Sequence, residues 1–458
     1  MITLRPYQRD ALTAVGAAHR SGAAGVLLVV PTGGGKTIVF TRAAQALAER
    51  GACVLIVVPA IELLEQTRDK LHRFGVSHGV IAATYRRNPL PGALVQVGMI
   101  QTLRRRPRAM LRTPDYLIID EAHLAAAASY IMLVERYPTA RRLGVTATPW
   151  RLDGQGFDAL ADAIVVGPTV ADLIDGGSLC PFRTYSIPLT DYATKGRRQR
   201  EFDRRAMAAA YAQQQLVGDV VEHYRQRAPG RSAIVFAASL DHSRALTTEF
   251  LAAGIAAEHL DGETPDEDRR AILARLESGS TTVVCNYGVL AAGFDCPRVS
   301  CVVVARGTAS KSLWIQMAGR GMRMSPETGK VDCVILDHGG NARRHGNLAA
   351  VHEYRLDGKP RADDDEDLGP VGVDCPRCRL VVDRGTRECP ACGFDFTVKA
   401  AVDRSVEVVA GELVLLDADA QAAELAQRER VNAARAARYG RAARTERSRE
   451  WAARMATT

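Results

Sequence analysis

Gly25-Val26-Leu27-Leu28-Val29-Val30, followed without a break by Pro31-Thr32-Gly33-Gly34-Gly35-Lys36-Thr37, decides how this chain of 458 residues folds. The first six residues are apolar and mostly branched, as in a strand buried on both faces. Residues 37–50 then follow helical periodicity. A strand, a glycine loop and a helix in this order form a phosphate cradle. Backbone N–H groups must converge on the anion, and glycines let the chain approach without Cβ clashes. The helix N-terminus adds the positive end of a dipole. Lys36 is then placed to reach the β- and γ-phosphates of a nucleotide, and the Thr37 hydroxyl to ligate Mg²⁺. Val30 stands where the strict pattern has glycine.

Similar apolar runs alternate with amphipathic stretches up to about residue 340. Residues 53–58, 94–97, 116–119 and 142–146 read as further strands, and 61–73 as a second helix. A glycine-rich seam lies near 150–180. Beyond it the pattern restarts at 232–236, 282–285, 300–304 and 331–336, with helices over 239–253 and 265–277. Two successive α/β units with parallel sheets covered on both faces are predicted. The polar stretch 190–206 reads as an insertion or surface helix. In the first unit Asp120-Glu121 closes the run Tyr116–Ile119. Open α/β sheets bind ligands at the carboxyl ends of their strands. Asp120 is therefore the candidate to hold Mg²⁺, and Glu121 to accept a proton from an attacking water.

With these two signals in place, residues 1–350 resemble the superfamily 2 helicases and translocases. Leu4-Arg5-Pro6-Tyr7-Gln8 resembles the adenine-reading segment, which implies Gln8, with Arg5, at the base. Val58 through Gln66 and Gly98-Met99-Ile100-Gln101-Thr102 resemble the strand-contacting motifs Ia and Ib. Thr146-Ala147-Thr148-Pro149 resembles motif III, which couples hydrolysis to domain movement. Asn286 through Pro297 resembles motif V, and the resemblance assigns Gly293 and Asp295 to nucleotide binding, as it does Thr32, Gly33, Gly34 and Gly35. Gln316-Met317-Ala318-Gly319-Arg320-Gly321-Met322-Arg323 resembles motif VI. The box Asp120-Glu121-Ala122-His123, the segment Gly293-Phe294-Asp295-Cys296-Pro297 and the segment Leu336 through Asn341 are most similar to the RadD-like group of bacterial DNA-repair helicases. That resemblance implies RecA-like domains and ATP-dependent action on DNA in repair. A phage relative used in replication is equally compatible.

Motif VI also makes sense from its residues. Gln316, Arg320 and Arg323 are spaced to share one helical face. Guanidinium is a planar fork suited to phosphate oxygens. Supplied by the second unit to a nucleotide on the first, these arginines would make hydrolysis depend on domain closure.

Cys375-Pro376-Arg377-Cys378 and Cys389-Pro390-Ala391-Cys392 supply four thiolates, enough for a tetrahedral site. A module this small, with few large apolar residues, needs such a staple. Zn²⁺ is the expected metal, while rubredoxin-type iron fits the same spacing; disulfides do not suit an intracellular protein. Its role is open between DNA contact and protein docking. The other cysteines, at 53, 180, 285, 296, 301 and 333, read as small buried hydrophobes.

Lys and Arg total 60 against 52 Asp and Glu, for a net charge of +8. Seven of the basic residues are lysine and the rest arginine, as codon supply in a GC-rich genome would produce, so placement counts for more than density. Residues 356–371 carry −4, 372–398 none and 399–458 +2, which leaves +10 for residues 1–355. Arg86, Arg87, Arg104, Arg105, Arg106 and Arg108 lie beside the motifs and are candidates for nucleic-acid backbone contacts. Tail arginines three residues apart slip about 60° per step and form no single basic face. The longest apolar run without charge, 124–134, is too short for a membrane span, which needs about 20 residues. No basic segment followed by an apolar one opens the chain, and a cytoplasmic location is expected.

The predicted architecture is α/β: two tandem RecA-like parallel-sheet domains, residues 1–165 binding ATP and 166–355 carrying the arginine fingers. An acidic linker (356–371), a zinc-ribbon-like four-cysteine module (372–398) and a helical Ala/Arg-rich tail (399–458) follow. The expected function is an ATP- and Mg²⁺-dependent DNA helicase or translocase, with DNA favoured over RNA, no membrane, and a protein partner at the zinc module or tail. Its rivals are a duplex translocase that separates no strands, an ATP-gated recruitment factor and an RNA helicase.

Overall fold

A computed structural model describes residues 3–85, 87–106, 112–124, 128–149, 156–187, 214–291, 293–346, 348–349 and 354–356, with short strands at 372–374, 381–383 and 414–416. The chain divides into two compact units, Met1–Leu413 and Val414–Thr458. In the second unit the strand Val414–Leu416 is the described part.

In the first unit the order begins α1 (Pro6–Arg20), β1 (Gly25–Val29), α2 (Lys36–Ala48), β2 (Val54–Val58), α3 (Ile61–Arg73), β3 (His78–Ile81) and β4 (Val95–Met99). It continues through α4 (Ile100–Arg105), β5 (Tyr116–Asp120), α5 (Ala128–Arg136), β6 (Arg141–Thr146) and β7 (Ala163–Val166). These strands form a parallel sheet in the order β3-β4-β2-β5-β6-β1-β7. Period-two alternation splits β1 between two cores: Val26 and Leu28 join one apolar cluster, Leu27 and Val29 the other. Both faces are therefore covered, which explains the unbroken apolar run. Because β6 lies between β1 and β5, Thr146 at its end comes between the phosphate loop and Asp120.

After α6 (Val170–Asp175) come β8 (Phe182–Ser186), α7 (Gln214–Arg227), β9 (Ala233–Ala237), α8 (Leu240–Ala252), β10 (Ala257–Leu260), α9 (Asp266–Ser278) and β11 (Val283–Asn286). Then follow β12 (Cys301–Ala305), α10 (Lys311–Ala318), β13 (Cys333–Asp337) and α11 (Asn341–His345). The strands of this part pair in parallel in the order β10-β11-β9-β12-β13-β8. Ser310 caps α10 by accepting from the Leu313 N–H at 3.2 Å, which starts the motif VI helix sharply after its loop.

Two parallel-sheet RecA-like domains are thus present, and the strands read from the sequence all appear. Four other strands of these two domains were not read. β3 and β10 are outermost strands and carry His78, Glu258 and His259. β7 is outermost and half-exposed, and β8 carries Arg183, Thr184 and Ser186. A strand with one neighbour needs less apolar surface and reads weakly. The six cysteines at 53, 180, 285, 296, 301 and 333 are buried and free, as small hydrophobes. Residues 190–206, the four clustered cysteines and the linker beyond Leu356 fall outside the described residues.

His242 on α8 and His338 after β13 are buried in the second domain, and the His338 ring lies 5.1 Å from that of His223 on α7. Burial pushes His242 down to about 4. Burial, with His223 and His242 adding to it, pushes His338 down to about 3. The unfolded chain then binds protons that the folded one refuses as pH falls below 6.5, so stability is full above that value and drains towards pH 4. Each histidine contributes a slope of up to about 1.4 kcal/mol per pH unit. Denaturant unfolding of the second domain at pH 7.5 and 5.5 checks this; equal midpoints would contradict it.

Candidate active site

The phosphate loop is shaped by two glycines at positive φ, Gly33 at 83° and Gly35 at 77°. Space excludes side chains there as well. A Cβ on Gly35 would lie 2.5 Å from Gln8 Nε2, and one on Gly33 would lie 2.7 Å from Leu179 Cδ2 and 3.6 Å from Arg323 Cγ. Gln8 is buried on α1, its side-chain oxygen accepting from the Arg5 N–H at 3.0 Å; Arg5 itself is exposed. Tyr7, beside it, donates from its hydroxyl to the Gly34 carbonyl at 3.0 Å. α1 therefore backs the loop from one side.

Lys36 and Thr37 begin α2, both half-buried. Burial lowers the Lys36 ammonium, while Glu121 and Asp120 oppose that shift and Arg320 and Arg323 add to it. Five charged side chains from three separate segments thus act on one another. Asp120 and Glu121 are buried at the end of β5. Burial and the neighbouring Glu121 raise Asp120 to about 7, against the pull of Lys36. Glu121 goes the other way: burial opposes ionisation, but the charges of Lys36 and Arg320 hold it below the ordinary carboxylate range. The pair therefore tends to share a proton, with Glu121 the ionised member.

Glu121 has φ 48°, the one positive value on a non-glycine residue among the described residues. Its N–H donates to Asp120 Oδ1 at 2.9 Å, and its carbonyl accepts from the Leu124 N–H at 2.9 Å. Strain of this kind costs roughly 1–3 kcal/mol and persists where surrounding structure enforces it. Glu121 Oε2 is buried without a hydrogen bond, as is Thr32 Oγ1 in the loop. Both are orphaned acceptors beside a cradle built for anions, which suits a hydrated nucleotide. Asp120 and Thr37 supply hard oxygen donors of the kind Mg²⁺ takes.

His123, which the sequence reading left without a role, joins the two domains. Gln316 Nε2 on α10 donates to His123 Nε2 at 3.2 Å, so the ring proton sits on Nδ1, 3.1 Å from Thr146 Oγ1. Burial keeps His123 neutral, as an accepting Nε2 requires. Thr146 in turn accepts from the Thr148 N–H at 3.1 Å. A chain of bonds therefore runs from motif VI through the box histidine to motif III. The clue in the sequence was the fourth letter of Asp-Glu-Ala-His.

Arg320 is buried and donates to the Ala291 carbonyl (2.7 Å) and the Phe294 carbonyl (2.8 Å) of motif V. Burial, with Arg323 beside it, lowers its guanidinium to about 10. Arg323 pairs with Asp295 at 2.7 Å and donates to the Phe294 carbonyl at 3.0 Å. Asp295 thus meets Arg323, and the Gly293 carbonyl accepts from Gln66 of motif Ia. Arg269 on α9 bridges to Glu62 on α3 at 3.1 Å. Of the arginines near motifs Ia and Ib, Arg104 and Arg105 end α4, while Arg86 and Arg108 lie outside the described residues.

Residues 1–151 match the family "Type III restriction enzyme, res subunit", and residues 214–325 match "Helicase conserved C-terminal domain". The chain belongs to the superfamily 2 helicases and is an ATP-hydrolysing enzyme of that helicase type. It is similar to a 51.5 kDa protein of a Lactococcus phage (29% identical over 394 residues, 84% of this chain and 82% of the other). It is also similar to IRC3 of Saccharomyces cerevisiae, whose naming as an ATP-dependent helicase is provisional (26% over 353 residues, 73% and 51%). A third relative is the DNA 3'-5' translocase XPB2 of Sulfurisphaera tokodaii (24% over 368 residues, 70% and 79%). Among solved structures, a fragment assigned as the HsdR subunit of a type I restriction enzyme from Vibrio vulnificus YJ016 shares the fold (TM-score 0.59, 20% identity, 79% and 68%). Among the described residues no helix is long and apolar enough to cross a membrane.

Proposed function

We propose that this chain is a Mg²⁺-dependent ATPase that moves on DNA, with hydrolysis in the first domain completed by arginines of the second. The observation that carries the reading is the bond from Gln316 through His123 to Thr146, with Arg323 set beside Gly33. Lys36 and the loop N–H groups hold the β- and γ-phosphates, and Gln8 lies at the base. Thr37 and Asp120 would hold Mg²⁺, which when bound neutralises phosphate charge. Glu121 takes the proton of the attacking water. On closure Arg320 and Arg323 leave their motif V carbonyls for the γ-phosphate, so opening and closing change the grip of motifs Ia, Ib and V on a strand.

DNA is favoured over RNA because the box and motif V variants resemble the RadD-like repair group and because XPB2 is named a DNA translocase. A role in DNA repair follows from the RadD-like resemblance, and replication in a phage is the alternative. Cys375, Cys378, Cys389 and Cys392 are taken as zinc ligands. The antiparallel pairing of Gly372–Asp374 with Val381–Asp383, which brackets the first cysteine pair, supports a ribbon-like knuckle. ATP turnover with single-stranded DNA, duplex DNA, RNA or no nucleic acid tests the reading. DNA is expected to stimulate most; stimulation by RNA alone, or by nothing, would contradict it.

A further inference from the structure

Lys330 is buried, at 7% exposure, and lies behind the arginine turn. It ends a tight loop from Ser325, whose backbone it rejoins as an antiparallel bridge, with Gly329 at φ 72°. Its ammonium donates to three backbone carbonyls: Pro297 at 2.9 Å, Val299 at 2.5 Å and Gly321 at 2.6 Å. An ammonium has three N–H donors and no acceptor, so all three are used.

The three carbonyls belong to functional segments. Pro297 and Val299 form the exit from motif V into β12. Gly321 ends the 3₁₀ turn Gly319–Gly321 that follows α10, and it stands between Arg320 and Arg323. Carbonyls at a helix end have no partner within the helix and need one elsewhere. A side chain on Gly321 is excluded, because its Cβ would lie 2.4 Å from Cys333 Sγ and 2.8 Å from Val302 Cγ2. The turn therefore rests on β12 and β13. Its far side is tied to the interdomain connection: the Cys180 N–H donates to the Met322 carbonyl at 2.9 Å, and Leu179 bridges Arg323. Arg320 joins motifs V and VI at one end, and Lys330 joins them at the other.

We propose that Lys330 is a positioning residue for ATP hydrolysis, fixing the Gly321 carbonyl and with it the turn that carries Arg320 and Arg323 towards the phosphate loop. Arginine is no substitute. Three carbonyls converge on one nitrogen here, whereas guanidinium spreads its donors over a planar fork.

The inference rests on the ATPase reading with Arg323 as a phosphate-facing group, so the test carries its own control. Full-length wild type, Lys330→Met, Lys330→Arg, Arg323→Ala and Lys330→Met/Arg323→Ala are compared for kcat, for KM of ATP and for cooperative thermal unfolding. A displacement near 1 Å at a reacting group costs about 10²-fold, and Lys330→Met is expected to lose kcat on that scale. KM of ATP should stay within about threefold, because the nucleotide is bound by the other domain. Lys330→Arg should fall with it, and in the Arg323→Ala background Lys330→Met should cost clearly less than in wild type, because only Arg320 is left to displace.

Wild-type kcat for Lys330→Arg, or the same loss from Lys330→Met in both backgrounds, would overturn the positioning role. If Lys330→Met does not fold, Lys330→Arg, which keeps the charge, gives the decision. Wild-type turnover by Arg323→Ala would remove the function reading itself. Wild-type turnover by Lys330→Met beside an impaired Arg323→Ala would remove only the role given to Lys330.

Discussion

Glu121→Gln is expected to keep ATP binding and to lose about 10²–10⁴ of the hydrolysis rate, the range for a missing general base. The substitution preserves shape and removes only the charge and the proton-accepting oxygen. That oxygen, Oε2, is buried, makes no hydrogen bond and lies 3.4 Å from His123 Nδ1. Lys36 and Arg320 hold Glu121 ionised against the cost of burial, the protonation state a base must have. The left-handed backbone at residue 121 aims the side chain and is tolerated as well by glutamine as by glutamate. Binding of a fluorescent ATP analogue separates the two effects. Unchanged affinity with lost turnover fits a base, and turnover near wild type would show that another group takes the proton.

The parallel sheets were legible because each central strand is covered on both faces and therefore reads as an unbroken apolar run, as in Val54–Val58 and Cys301–Ala305. Outer strands such as Ala257–Leu260 were not, since half their surface tolerates Glu258 and His259. The phosphate loop was legible because glycine spacing reports backbone geometry directly. Its neighbours in space were less so. No spacing rule places Gln316 against His123, 193 residues earlier, or gives Glu121 a positive φ. Asp295 read as a nucleotide contact, yet its carboxylate meets Arg323. Lys330 drew no attention as one lysine in a loop, because the three carbonyls it collects come from segments up to 33 residues away.

Completion of the active site by the second domain is the central claim, and Arg323 is its most exposed point. The side chain lies against Gly33 of the phosphate loop and is parked on Asp295 and the Phe294 carbonyl, both in motif V. Arginine fingers are worth about 10³–10⁵ in rate, so Arg323→Ala should lose turnover on that scale. Nucleotide affinity should change little, since Lys36 and the loop amides belong to the first domain. The decisive measurement is single-turnover hydrolysis of bound ATP by wild type and Arg323→Ala at saturating DNA, with affinity measured in parallel. A collapse of the chemical step at near-constant affinity is expected. Hydrolysis at the wild-type rate by Arg323→Ala would contradict the account.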